Sequence, residues 1–184
     1  MKIILQKKLL KKQIKTNKSQ FFIFNSMITG VYGSTITAYL SLEEKRIDTS
    51  KIKEKIQYLF KFTNDMTKTV KYCYARKTTH SDRYVTCQFL HNTTENAFLH
   101  RINFKPYGFW KYEVYEVAWI GDVLLSSSTA PDIETEVLAI ENENGVVKGK
   151  VEEGKVLIKE TEGSEQVRYT QHTETTTNYL YTDY

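Results

Sequence analysis

Between Gly108 and Glu116 the chain alternates with period two. Trp110, Tyr112 and Val114 fall on one side of an extended strand, and Phe109, Lys111, Glu113 and Tyr115 fall on the other. Aromatic and branched residues in this spacing predict a strand with one dry face, central in its sheet. Trp110, Tyr112 and Val114 are therefore assigned to the structural core. Shorter runs repeat the pattern. Ile36, Ala38, Leu40 and Leu42 oppose Thr35, Thr37, Tyr39 and Ser41; Tyr58, Phe60 and Phe62 oppose Leu59 and Lys61. Further strands are expected over 68–75, over 84–90 with Val85, Cys87 and Phe89 on one face, and over 98–104. Beyond a Ser-rich loop at 121–132, strands are expected over 136–140, 146–151, 155–161 and 166–170. Asn144-Gly145 and Glu153-Gly154 carry hairpin-turn chemistry. No helical period is sustained anywhere between residues 30 and 165. Short strands about 8 to 12 residues apart predict an all-β sandwich.

Composition supports strands. The chain has 22 threonines, 13 tyrosines and 9 phenylalanines, all strand-favouring, and only two prolines. Its 184 residues suffice for one domain with arms. The net charge of +4 is spread unevenly. Residues 1–18 hold seven lysines and no acid, whereas residues 131–165 hold ten acids against four lysines. Such polarity suggests arms that meet different partners, or each other between copies. Leu5, Leu9 and Leu10 among the lysines fit either a short basic amphipathic helix or an extended arm. The Phe21-Phe22-Ile23-Phe24 run suits strand addition to a neighbouring sheet, or equally the first strand of the sandwich itself. The polar, Thr- and Tyr-rich stretch 172–184 reads as a second arm. No apolar run reaches membrane-spanning length, and the N-terminus lacks the apolar region and cleavage site of a signal peptide.

Candidate chemistry is sparse. Cys73 and Cys87 each sit in a strand-like run and are expected as buried thiols rather than a cross-strand disulfide. His80, His91, His100 and His172 lack ligand spacing; only His91 and His100 could approach, across a hairpin. Glu113, Glu116 and Asp122 are the one set that mimics a carboxylate pair. Ser126-Ser127-Ser128 has no surrounding Gly-x-Ser-x-Gly elbow, and no glycine loop cradles phosphate. No catalytic residue, metal or cofactor is assigned. The lysine arm lacks interleaved aromatics, so contact with DNA would reach phosphates rather than bases.

The 108–116 stretch resembles the Gly-x-Tyr-x-Cys strand of immunoglobulin-like domains, with Gly-x-Trp-x-Tyr in its place. A wider pattern accompanies it: the Thr-rich run Thr35–Glu43, Tyr58–Asp65 (Tyr-Leu-Phe-Lys-Phe-Thr-Asn-Asp), Arg83-Tyr84, Gly108–Glu116 and Glu152–Ile158. Together, over roughly 34–160, they resemble a family of immunoglobulin-like head auxiliary proteins from crAss-like and related tailed phages of Bacteroidota. The resemblance implies a non-enzymatic virion protein, made in the host bacterial cytoplasm, that decorates or reinforces the capsid and is multimeric in the particle. Its partners would be the major capsid protein or other virion subunits, with DNA contact by the basic arm open. The implied layout is a basic arm at 1–29, an immunoglobulin-like β-sandwich at 30–165 and a C-terminal arm at 166–184. The arms lie outside the family pattern. Their partner-binding candidates are Lys7, Lys8, Lys11, Lys12, Lys15, Phe21, Phe22, Phe24, Tyr179 and Tyr181. Two other expectations stand beside this one: a neck or tail ring component, and a surface carbohydrate-binding module stacking sugars on Trp110, Trp119 and tyrosines.

Overall fold

The computed structural model describes residues 27–80, 84–140 and 143–161. Within them the protein is an all-β sandwich of two sheets. The larger sheet has five strands: β1 (Met27–Val31), β3 (Ile56–Asn64), β4 (Val70–Tyr74), β8 (Gly108–Ala118) and β9 (Val146–Lys159), in the order β1-β9-β8-β3-β4. The smaller holds β2 (Ile36–Leu40), β5 (Arg76–His80) and β6 (Val85–His91) in the order β2-β6-β5, and β6 also pairs with the short β7 (Arg101–Ile102). All sheet neighbours run antiparallel except β1 beside β9 and β7 beside β6.

β8 is the middle strand, as its pattern predicts. Trp110, Tyr112 and Val114 are fully buried, and the same inward row continues to a buried Glu116. Each aromatic of such a row removes about 150–250 Å² from water, a gross stabilisation of about 4–6 kcal/mol before entropy. The inward rows of β2 (Ile36, Ala38, Leu40), β3 (Tyr58, Phe60, Phe62) and β6 (Val85, Cys87, Phe89) are buried in the same core. Rings cross edge to face between the sheets: Phe60 and Phe62 meet Phe89 at 4.8 and 5.2 Å, and Phe62 meets Phe104 at 4.9 Å. Cys73 and Cys87 are both buried and reduced.

A second cluster lies on the opposite face of the larger sheet. Leu59, Tyr74 and Val117 point away from the main core and are covered by Trp119 and Ala130, with Val123 and Leu125 beside them. The cover is the long β8–β9 connection, which folds back over the sheet. Its turns are internally bonded: Ala130 N–H donates to Ser126 O at 2.9 Å and Gly145 N–H to Thr129 O at 2.8 Å. Gly145 must stay small there, because a Cβ would stand 2.5 Å from the Trp119 ring.

Several sequence expectations are corrected. The strand expected over 98–104 is a 3-10 turn, Ala97–Leu99, followed by the two-residue β7. The Asn96 side chain accepts from Phe98 N–H and Leu99 N–H, both at 3.1 Å, and so satisfies backbone donors that a strand would have used. Residues 76–80, between the strands expected over 68–75 and 84–90, form β5; a strand paired only with β6 at a sheet edge has no need of an apolar row. Residues 136–140 form no strand. The runs 146–151 and 155–161 are one continuous strand, because Gly154 lies opposite Tyr112 and is buried rather than turning the chain. The sandwich also begins earlier than residue 30, since Met27–Thr29 belong to β1. The expected strand at 166–170 lies outside the described residues.

Candidate functional site

β9 carries the feature with most capacity to bind. On one side β8 pairs with it from Val146 to Ile158. On the other, β1 pairs only with Lys155–Lys159. Among the described residues, Val146–Gly154 therefore has a strand on one side alone. Backbone donors and acceptors along such an edge are the usual seat of an added strand.

Both flanks of this edge offer apolar surface. On the outer side a cleft of about 300 Å³ runs between β9 and the 134–140 segment, lined by Val137, Leu138, Ile140, Val147, Tyr115 and Glu134 among others. Val137 is 88% and Ile140 57% exposed, a strong departure from burial for branched side chains. On the inner side Ile47, 49% exposed, lies over Gly149, its Cδ1 3.0 Å from where a Cβ would stand. Lys148, Lys150 and Glu152 keep the edge soluble by pairing: Lys148 with Asp48 at 3.3 Å, Lys150 with Glu153 at 2.7 Å, and Glu152 with Lys45.

The segment beside the cleft is pinned to the sheet by one carboxylate. Glu134 accepts from both Lys61 Nζ and Tyr72 OH. Burial raises the Glu134 pKa, but these two bonds outweigh it and hold the carboxyl below its usual range. The same contact raises the Lys61 pKa, and burial with the neighbouring carboxylate pushes the Tyr72 phenol up to about 12.

The carboxylates singled out in the sequence do not converge. Glu116 faces the interior, where Oε2 accepts from Ile47 N–H at 2.7 Å and Oε1 from Asp48 N–H at 2.8 Å. Glu113 lies on the outer face between Lys111 and Lys150, at 3.3 and 3.4 Å, and Asp122 is a solvent-exposed partner of Lys55. Glu116 is thus an anchor for the β2–β3 connection. Its role was legible in the parity of β8, which places it after Val114 on the dry row. His91 meets the Tyr32 ring edge on at 4.5 Å, while His100 Nδ1 lies 3.0 Å from Tyr74 O. The two imidazoles thus engage different partners. Ser126 bonds Thr129 at 2.7 Å and Ser128 at 3.2 Å. Among the described residues no three His, Cys, Asp or Glu side chains are grouped to hold a metal.

Both tryptophans are buried. Trp110 Nε1 donates to Pro106 O at 3.2 Å, and Trp119 lies in the cluster under the β8–β9 connection. Neither tryptophan presents a face to a sugar, whereas Tyr39 and Tyr84 are exposed.

The chain matches no family model, and no curated protein or solved structure matches it significantly.

Of the residues predicted from sequence, Trp110, Tyr112 and Val114 occupy the core as expected. Lys7, Lys8, Lys11, Lys12, Lys15, Phe21, Phe22, Phe24, Tyr179 and Tyr181 lie outside the described residues. Sequence reasoning missed the half of β9 that has a single partner strand among the described residues, because Glu153-Gly154 reads as a turn and divides the strand. No helix among the described residues is long and apolar enough to cross a membrane.

Proposed function

We propose that this chain is a structural, non-enzymatic component of a phage particle, an auxiliary protein that decorates or reinforces the head by binding neighbouring capsid subunits. The observation that carries this reading is the two-sheet sandwich itself, whose strand order and Gly-x-Trp-x-Tyr strand fit the immunoglobulin-like pattern that residues 34–160 resemble. The lysine-rich stretch 1–18 and the Thr- and Tyr-rich stretch 172–184 lie outside the described residues; as proposed partner-binding arms each would hold a different neighbour, and on a repeating lattice such weak contacts multiply. Lys7, Lys8, Lys11, Lys12 and Lys15 would supply charge to an acidic capsid surface or to packaged DNA, and Tyr179 and Tyr181 apolar contact at the other end.

The strand order supports the immunoglobulin-like form of this reading. Taking β2, β6 and β5 as strands B, E and D, and β9, β8, β3 and β4 as G, F, C and C′, reproduces the two sheets of an immunoglobulin sandwich. β8 then holds the F position, where Gly-x-Trp-x-Tyr replaces Gly-x-Tyr-x-Cys. β1 beside β9, rather than beside β2, is the A strand carried across to the other sheet.

The test is incorporation into particles. Deleting residues 1–20, or 162–184, is expected to reduce the copies retained per particle while leaving the sandwich folded by circular dichroism. Unchanged incorporation of both truncations would refute the arm mechanism. Stoichiometry against the major capsid protein separates a head position from a neck or tail ring.

A further inference from the structure

We propose that Lys71 and Asn103 form an intramolecular isopeptide bond, with Glu95 as the catalytic acid and base, and that this bond clamps the two sheets together. The cross-link is independent of the virion reading.

The three residues already meet. Lys71 Nζ donates to Glu95 Oε1 at 2.6 Å and to the backbone oxygen of Asn103 at 2.5 Å. The same Glu95 oxygen accepts from Asn103 N–H at 2.9 Å. One carboxylate therefore touches both the attacking amine and the residue it attacks. The Asn103 carboxamide shares its residue with the carbonyl that Nζ reaches, so rotation about the lysine's terminal bonds carries the amine to Cγ. Asn103 Oδ1 is buried and has no hydrogen-bond partner. A buried polar atom left unsatisfied calls for a role. Here it marks a carboxamide shielded from water, which favours attack by the neighbouring amine over hydrolysis.

The fold holds these groups in place. Lys71 lies on β4 opposite Phe62, on the inward row, and its side chain is only 16% exposed. Ile102 and Phe104, on either side of Asn103, are buried in the main core, and Phe104 meets Phe62 at 4.9 Å. Asn96, next to Glu95, is bridged to Arg101, its N–H donating to Arg101 O at 3.0 Å. Groups fixed in this way react with the high effective concentration of an intramolecular step. β4 belongs to the larger sheet, whereas Asn103 directly follows β7, which pairs with β6 of the smaller one. The bond thus spans the sandwich.

The step balances within the chain. Glu95 takes one proton from the Lys71 ammonium, and the freed amine attacks Asn103 Cγ. The Nζ–Cγ bond forms, the Cγ–Nδ2 bond breaks, and Glu95 passes its proton to Nδ2. The second proton lost by Nζ leaves with the ammonia as ammonium. No oxidant, reductant or cofactor is consumed.

Intact-mass spectrometry of the purified full chain tests it. The wild type is expected to lie below the mass of its sequence by one ammonia, with tandem spectra of a digest placing the loss on linked peptides that contain Lys71 and Asn103. Lys71→Arg and Glu95→Gln are each expected to restore the full mass. Wild-type protein still at full mass after prolonged incubation at neutral pH overturns the proposal, and this measurement needs no variant to fold. Ammonia lost instead from another asparagine, such as Asn144 before Gly145, also overturns it. A Lys71–Asn103 link that forms unchanged in Glu95→Gln overturns the catalytic assignment of Glu95.

Discussion

Glu116 offers the sharpest test of how this sandwich is held at the end that bears the open strand edge. Its side chain is fully buried, yet it is spent on two backbone donors, Ile47 N–H and Asp48 N–H, at 2.7 and 2.8 Å. Glu116→Ala leaves both donors without an acceptor. A buried donor stripped of its partner costs about 1–3 kcal/mol, and the carboxylate bond lies at the strong end of that range. The β2–β3 connection is only partly buried, so water restores some of this loss. The two donors together come to about 2–4 kcal/mol, with a further contribution from the space vacated beside β8. Glu116→Gln keeps one oxygen and turns an N–H toward the other donor, for a loss of about 1–2 kcal/mol. Urea unfolding followed by tryptophan fluorescence should order the proteins wild type, Gln, Ala, with an unchanged denaturant slope. Limited proteolysis should open first at Arg46 and Lys51, the basic residues of the released connection. A Gln variant indistinguishable from wild type, with an Ala variant losing less than about 1 kcal/mol, would refute the anchoring role.

Three further outcomes follow from the same structure. The Tyr58 hydroxyl is buried without a hydrogen-bond partner, so Tyr58→Phe should raise stability by about 1 kcal/mol in the same urea assay; a destabilised variant would contradict this. Burial brings the Lys77 ammonium down to about 8 from its ordinary 10.5. The folded state therefore releases this proton before the unfolded chain does, and stability gains up to about 3 kcal/mol from Lys77 as pH rises from 8 to 10.5. The difference between wild type and Lys77→Met, measured across that window, should show the slope in wild type alone; parallel curves would remove it. Burial pushes the Cys87 thiol up to about 12 and the Cys73 thiol higher still, so a thiol-specific reagent at pH 8 should label neither cysteine until denaturant is added. Rapid native labelling would show that the core opens.

The parts legible in the sequence are those where one physical signal acts alone. β2, β3, β6 and β8 each pack one apolar row into the inter-sheet core, and period two gives both the strand and its inward face. Leu59 already hinted at the second cluster. It is buried between Tyr58 and Phe60, and burial on both sides of one strand requires a cover on each face. What covers it is a loop, whose own pattern carries no period. Misreadings arise where a local cue has two physical causes. Gly154 signals a turn, but a glycine also occurs inside a strand, here buried and paired opposite Tyr112. Residues 98–104 alternate weakly, but Asn96 captures two backbone donors ahead of them. β5 is polar because it is an edge. The candidate site was the least legible part, since the edge is defined by which half of β9 has no second partner among the described residues, and no residue type marks that.

The distribution of cover constrains how this molecule can meet others. Both broad faces of the larger sheet are occupied, the inner by the smaller sheet and the outer, in large part, by the β8–β9 connection with Trp119 and Ala130. A flat face of exposed aromatics, the usual surface for docking a protein or a sugar, is therefore not offered there. Beside the Val146 half of β9, Val137, Ile140 and Ile47 are exposed apolar side chains. An edge of this kind is a liability unless something fills it, and the charged pairs along β9 only blunt it. Under the virion role proposed above, replacing Lys7, Lys8, Lys11, Lys12 and Lys15 by glutamine should weaken incorporation into particles, because the charge that would meet an acidic partner is removed; unchanged incorporation would remove these lysines from that role.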